Sequence, residues 1–261
     1  MNKVHISDLI FYKKDKEEIM KILKEENIKK LEFFIEPLDK EYTEKMLYIL
    51  ENYKFDSISF HGPFRRCNLA VLTEESWNDT LKSYEESFKM AAKYSPKFMV
   101  LHSNEWIPDN NITPLLKEKI LEKISKLVAL GKKYNIDVVV ENVGIRQTMV
   151  FGQEEYEEII LKNNYKSLID IGHAFVNSWD IESLIKKLKD NILGYHFHNN
   201  DGNFDQHQPI SKGKINYFEI LKWVREYTPN ATIVLEYDFS EDEKEVIKDS
   251  KKLEAIIEID N

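Results

Sequence analysis

The chain has 261 residues, enough for one large α/β domain or two small ones, and its 42% hydrophobic and 12% aromatic content excludes global disorder. A net charge of −9, with only four arginines, gives no strong basic footprint for nucleic acid, and the single cysteine, Cys67, excludes an internal disulfide framework or a Cys-rich zinc ribbon. No apolar run approaches the ~18 residues that span a bilayer, and the opening MNKVHISDLIFYKKDKEE has no secretion signal, so a cytoplasmic protein without a membrane segment is expected.

In chain order, a strand is expected over Lys3–Ser7 and a helix over Asp15–Asn27, with Ile19, Ile22 and Leu23 on one face. Strands follow at Lys30–Ile35 and Ser57–His61, then a long helix over about Glu74–Tyr94 that ends before Pro96. After a strand at Lys97–His102, Thr113 and Pro114 open a helix to about Tyr134, as N-cap and first helical residue. Strands at Asp137–Glu141 and Ser167–Asp170, a helix at Asp180–Leu188, a strand at Leu193–His198, a helix at Tyr217–Thr228, a strand at Thr232–Glu236 and a helix at Asp242–Ile257 complete the series. Short strands rich in Val, Ile, Leu and Phe are those of a buried parallel sheet. Eight of them alternating with helices predict an α/β fold, a (β/α)₈ TIM barrel forming one domain over residues 1–261. A doubly wound open sheet is the alternative, but its Gly-rich first turn is missing from residues 6–12.

The functional signal lies in what ends each apolar run. His61, His102, Glu141, Asp170 and Glu236 each follow one, and the seventh strand supplies both His196 and His198. His173 comes three residues after Asp170, and Asp205-Gln206-His207 comes after the seventh strand. In a barrel these ends share one mouth, where active sites are built. Carboxylates gathered there repel one another and are costly to desolvate, and a divalent cation relieves that cost. Imidazoles with carboxylates suit Zn²⁺, Mn²⁺, Fe²⁺ or Co²⁺. Of the seven histidines, only His5 falls outside this set.

Plainer readings stand beside these. A lone histidine or glutamate at a strand end is ordinarily a satisfied rim residue. His196 and His198 face the same way by strand alternation, so one suffices as ligand and His198 is instead a candidate substrate contact. His5, Glu32 and Glu36, near early strand ends, are weaker candidates for touching substrate. Arg65, beside Arg66, is a candidate clamp for a substrate phosphate or carboxylate, or else a solvated loop charge. Trp106 and Trp179 either line a sugar-binding mouth or pack in the core, and Cys67 reads as packing.

The ordered set His61-Gly-Pro, Leu101-His102-Ser, Val140-Glu141-Asn142, Asp170-Ile-Gly-His173, His196-Phe-His198-Asn199-Asn200, Asp205-Gln-His207 with Pro209-Ile-Ser-Lys-Gly213, and Leu235-Glu236 resembles the xylose isomerase-like TIM-barrel superfamily over about residues 57–237. That group holds sugar isomerases and epimerases, myo-inositol catabolic enzymes and endonuclease IV. The resemblance implies that Glu141, Asp170, His196 and Glu236 hold the single metal of the epimerase branch. It also implies that His61, His102, His173, Asp205 and His207 match the further ligands of a three-zinc site in the endonuclease branch. His196 rather than His198 is aligned with the metal histidine, because Asn199 then falls where many relatives carry an aspartate.

The expected function is a metal-dependent isomerase or epimerase of a sugar, sugar phosphate or polyol, with Glu141 and Glu236 carrying the proton next to a carbonyl. Its cofactor would be a divalent metal ion, Zn²⁺ if multinuclear and Mn²⁺, Co²⁺ or Mg²⁺ if single. The alternative is an endonuclease IV-like phosphodiesterase acting on abasic-site DNA. The complete donor set favours it. The lack of Arg or Lys in the loops after His102 and Asp170 opposes it, as does Asn199-Asn200-Asp201-Gly202-Asn203 where that branch has an Asn-Asp-Ser-Lys-like stretch. A non-catalytic metal- or sugar-binding barrel is the third reading; it would need the acid/base pair to be missing, and Glu141 and Glu236 are both present. The expected partner is a small-molecule sugar or polyol, and the sequence leaves association into a homo-oligomer open.

Overall fold

The structure is a computed structural model and describes residues 2–259; Met1, Asp260 and Asn261 lie outside the described residues. Eight parallel strands close into a barrel in sequence order. They are β1 (Lys3–Ser7), β2 (Lys30–Phe34), β3 (Ser57–His61), β4 (Met99–Leu101), β5 (Val138–Glu141), β6 (Lys166–Asp170), β7 (Ile192–Phe197) and β8 (Thr232–Leu235). Closure is made by β8 on β1, with Lys3 opposite Thr232 and Ile6 opposite Leu235. The helices are α1 (Lys16–Glu25), α2 (Lys40–Asn52), α3 (Glu74–Ala91), α4 (Pro114–Lys133), α5 (Gln153–Asn163), α6 (Ile171–Val176), α7 (Ile181–Leu188), α8 (Tyr217–Tyr227) and α9 (Glu243–Ile259). Among the described residues, no helix is long and apolar enough to cross a membrane.

The expected barrel is the fold that forms, and all eight strands fall where their apolar runs stand. β1 and β3 keep their expected bounds and the ends of the others shift by one or two residues; β4, expected over Lys97–His102, is a regular strand only from Met99 to Leu101. Local chemistry starts the helices as anticipated. Thr113 accepts from the backbone N–H of Leu116 with Pro114 behind it, and Asp15 forms a reciprocal capping box with Glu18. Two helices, α2 and α5, occupy stretches the periodic pattern did not single out. The segment after Asp170, expected as a loop, instead turns directly into α6. The Asp170 carboxylate caps it by accepting from His173 N at 2.6 Å, and its glycine and short length mask it in the sequence.

Strand alternation sorts the side chains into two compartments. Ile58, Phe60, Val138, Val140, Ile169, Tyr195, Ile233 and Leu235 join the large apolar cluster between strands and helices. Their neighbours point inward. Phe98, Val100, Val139 and Leu168 fill one part of the barrel interior, and Gly194 leaves room for the Phe98 ring, since a Cβ there would lie 2.8 Å from its Cζ. Much of the rest of the interior is polar: His5, Glu32, Ser57 and Ser59 are all buried. At the C-terminal end the same inward positions fall to His61, Glu141, Asp170, His196 and Glu236, also all buried.

Candidate metal centre

Alternation and strand length therefore aim the strand-end donors at one place. Ligand-capable atoms within 4.8 Å of one another form four groups among the described residues, three of them linked through shared members. One is His61, His102 and Glu141; a second is Glu141, Asp170 and His196; a third, sharing His196, adds Glu32 and Glu236; and the last is His173, His198, Asp205 and His207. All nine residues proposed as metal ligands from the sequence are present in these groups, joined by Glu32 and His198.

The hydrogen bonds fix which ring nitrogen each histidine offers. Nδ1 of His61 donates to Gly62 O at 2.9 Å, that of His173 to Asn142 O at 3.2 Å, and that of His207 to Glu236 O at 3.0 Å. Nδ1 of His102 is held by Glu105 Oε1 at 2.9 Å. With Nδ1 so committed, each ring turns Nε2 towards the centre. Nε2 of His61 and Nε2 of His102 stand 3.0 Å apart, and the latter lies 3.0 Å from Glu141 Oε2. Two neutral rings in this pose would set lone pair against lone pair. A proton or a cation between them removes the conflict.

His196 is held the other way round. Its Nε2 binds Glu32 Oε1 at 2.8 Å, while its Nδ1 faces Glu236 Oε2 at 3.2 Å, Glu141 Oε2 at 3.6 Å and Asp170 Oδ2 at 3.9 Å. That Nδ1 is buried and has no hydrogen-bond partner. A buried nitrogen facing three carboxylates without a bond of its own is the setting of a metal ligand. The donor set fits a divalent cation.

His198 sits on the far side of Asp170. Its Nε2 lies 3.0 Å from Asp170 Oδ2 and its ring stacks on His207 at 3.7 Å. Gly172 makes this possible, because a Cβ there would lie 2.0 Å from His198 Cε1. Asp205, at the rim, accepts from His173 Nε2 at 3.1 Å and His207 Nε2 at 3.2 Å.

Without a cation, the centre balances itself with protons. Burial alone would lower the pKa of His102, but the Glu105 and Glu141 carboxylates overcome it and raise it to about 10. His207 is likewise pushed up to about 10 against its burial, by Asp205 and Glu236, and His173 and His196 rise well above the usual imidazole range. His61 is the exception, lowered to about 4 by burial and by the charge on His102. Burial would raise the carboxylates, but the surrounding imidazoliums hold Glu141, Asp170, Asp205 and Glu236 below their ordinary values.

A cavity of about 540 Å³ opens above this floor. Leu9, Tyr12, Phe34, Phe64, Val143 and Phe239 give it a largely apolar and aromatic wall, which residue-type reasoning did not foresee. Arg65 reaches the cavity, but its Nη1 is bound to Asp39 Oδ2 at 2.8 Å and its guanidinium lies over the Tyr12 ring. The other substrate candidates lie elsewhere. Trp106 is half exposed outside the lining, Trp179 packs on the Tyr156 ring, and His198 is buried beneath the floor. Glu36 is also buried off the lining, accepting from the N–H groups of Phe64 and Arg65. Glu105, three residues after His102, lines the cavity and holds that ring, and the strand-end pattern passed it over.

Comparison with known proteins agrees with this architecture. A family model described as xylose isomerase-like TIM barrel matches residues 17–256. Uncharacterized protein MJ1614 of Methanocaldococcus jannaschii is 27% identical over 164 residues, spanning 63% of this chain and 64% of that protein. Among solved structures, a D-tagatose 3-epimerase-like protein superposes with a TM-score of 0.83 at 22% identity, covering 98% of this chain and 97% of its own. The IOLI protein with a binding zinc atom gives 0.79 at 15% identity, covering 98% and 97%.

Proposed function

The chain belongs to the xylose isomerase-like TIM barrel family, and from that premise we propose that it is a divalent-cation-dependent isomerase or epimerase of a sugar or polyol, moving a proton at a carbon next to a carbonyl. The observation that carries this reading is the partnerless His196 Nδ1, facing Glu141, Asp170 and Glu236 beneath a cavity of about 540 Å³. Two fold neighbours, a D-tagatose 3-epimerase-like protein and the IOLI protein with a binding zinc atom, point the same way.

Glu141, Asp170, His196 and Glu236 would hold the cation, which when bound supplies Lewis-acid stabilisation of the negative charge that develops on a carbonyl oxygen. Glu141 and Glu236 are the proton carriers. They come from strands three places apart around the barrel, β5 and β8, and so reach the centre from different sides. Neighbouring imidazoliums keep both ionised in the metal-free protein, and a bound cation would take over that role, leaving each in the form that accepts a proton at an Oε atom. One takes the proton from carbon; the other, having drawn a proton from solvent, returns one to the opposite face. Phe34, Phe64 and Val143 cover the carbon faces of the substrate and exclude water.

The test is proton exchange. Cation-loaded protein is incubated in D₂O with a panel of ketoses and keto-polyols. The expected result is deuterium at the carbon beside the carbonyl of at least one member, lost in Glu141→Gln and in Glu236→Gln. No exchange with any member overturns the reading.

A second reading, a phosphodiesterase acting on abasic-site DNA, is favoured by one observation: donors beyond the four-residue set also converge, as His61 with His102 and as His173 with Asp205 and His207. Three zinc ions per chain and salt-sensitive cleavage of abasic-site DNA would support it against the first.

A further inference from the structure

Glu32 is fully buried inside the barrel, on the inward face of β2 and out of reach of the cavity. Both of its oxygens are in use: Oε1 receives His196 Nε2 at 2.8 Å and Oε2 receives the Ser59 hydroxyl at 2.8 Å. Ser59 Oγ in turn lies 3.1 Å from His5 Nδ1, and Nε2 of the same ring lies 3.0 Å from Ser57 Oγ. A carboxylate only accepts, so the proton direction along this chain is determined. Ser57 donates to His5 Nε2, His5 Nδ1–H donates to Ser59 Oγ, and Ser59 O–H and His196 Nε2–H both donate to Glu32. The His5 ring is neutral, as this order requires, since burial lowers its pKa to about 3.

His196 is thereby left with Nδ1 as the nitrogen that can face a cation. His61, His102, His173 and His207 are anchored at Nδ1 and turn Nε2 inward. We infer that Glu32 is a positioning residue which keeps the proton of His196 on Nε2, so that this histidine, unlike the other four, presents Nδ1 to a divalent cation. The inference rests on the reading of Glu141, Asp170, His196 and Glu236 as a cation site. The carboxylate also raises the basicity of the ring it holds, and outer partners of this kind commonly carry 10–100-fold, roughly, in metal affinity.

The experiment uses Zn²⁺ alone as probe on the full chain. Zinc affinity is measured by competition with a chelating dye, and the tautomers of ¹⁵N-labelled histidines are read by long-range ¹H–¹⁵N correlation; the His196 signals are assigned by their loss in His196→Gln. The expected result for wild type is a His196 ring protonated at Nε2 and ligated at Nδ1. In Glu32→Gln, zinc affinity falls about 10–100-fold and the Nε2–H signal of His196 weakens or is replaced. A zinc-loaded wild-type His196 that keeps its proton on Nδ1 overturns the inference without recourse to any variant. So does folded Glu32→Gln with wild-type affinity and an unchanged His196 tautomer. If wild type binds no zinc, the cation-site reading fails and takes this inference with it; tight zinc binding that is indifferent to Glu32 removes the inference alone.

Discussion

Asn142 and Asp170 are joined by two hydrogen bonds that continue the sheet beyond its last rung: Asn142 Nδ2 donates to Asp170 O at 2.9 Å, and Asp170 N donates to Asn142 Oδ1 at 2.7 Å. A side-chain amide thus stands in for a strand residue between β5 and β6, at the point where a candidate ligand begins α6. Asn142→Ala would strand a buried N–H and a buried C=O, at about 2–4 kcal/mol in all. Chemical denaturation should show that loss, together with weaker zinc binding. Asn142→Asp keeps the acceptor but sets a further buried carboxylate against the Asp170 C=O, so it should be destabilised as well. Equal stability of all three would remove the relationship's importance.

Gly172 is predicted to be intolerant of alanine because its neighbour cannot yield. The added Cβ meets the His198 ring at 2.0–2.6 Å, and that ring is buried against His207. Gly172→Ala should cost about 1–3 kcal/mol, read from denaturant midpoints. The double variant Gly172→Ala/His198→Ala should recover part of it, and additive losses would contradict the clash.

Glu36 gives a pH dependence whose sign follows from its burial. Desolvation, opposed by the N–H groups of Arg65 and Phe64, raises its pKa from 4.5 to about 7. A carboxyl group raised on folding binds its proton more tightly in the native state. Its stabilising contribution is therefore full below about pH 4.5 and lost as pH rises through about 7. Glu36→Gln keeps the acceptor and removes the charge, so the variant should gain on the order of 2 kcal/mol over wild type at pH 8 and little at pH 4. Asp8, also raised to about 7 by burial, leaves a residual slope in both proteins. Parallel stability profiles for the two would refute the assignment.

Cation binding should expel protons. His196, the histidine of the proposed four-residue site, is held well above the usual imidazole range against its burial by Glu236, Glu32 and Glu141, and so carries an imidazolium proton in the metal-free protein. With Nε2 bonded to Glu32, the proton lost on ligation is the one on Nδ1. Zinc added to metal-free protein in weak buffer at pH 8 should release at least one proton per chain by pH-stat titration, and chelation should take it up again. Binding without release would mean that the ligands are other residues.

The strand-end donors were legible in the sequence because one physical rule, alternation on a parallel strand, both buries the apolar residues and delivers the last inward side chain to the mouth. His61, Glu141, Asp170 and Glu236 are read off in this way. Relations between distant strands are not. Nothing local marks that Glu32 meets His196, 164 residues away, or that His5 and Ser59 share a hydrogen bond. The apolar wall of Phe34, Phe64 and Phe239 is hidden for the same reason, since each residue is ordinary in its own segment. The helix α6 was concealed by Gly172, whose role is to admit a ring from the next strand rather than to end a helix.

The ring of strands has a temporal consequence as well. The proposed ligands run from Glu141 to Glu236, and the last of them follows the strand that zips onto β1. The coordination shell is incomplete until that strand closes the barrel, so a growing chain leaving the ribosome has nothing that competes well for free metal until its final βα unit docks. Loading is then the last event of maturation, and metal supply acts on the completed fold rather than on its nucleation.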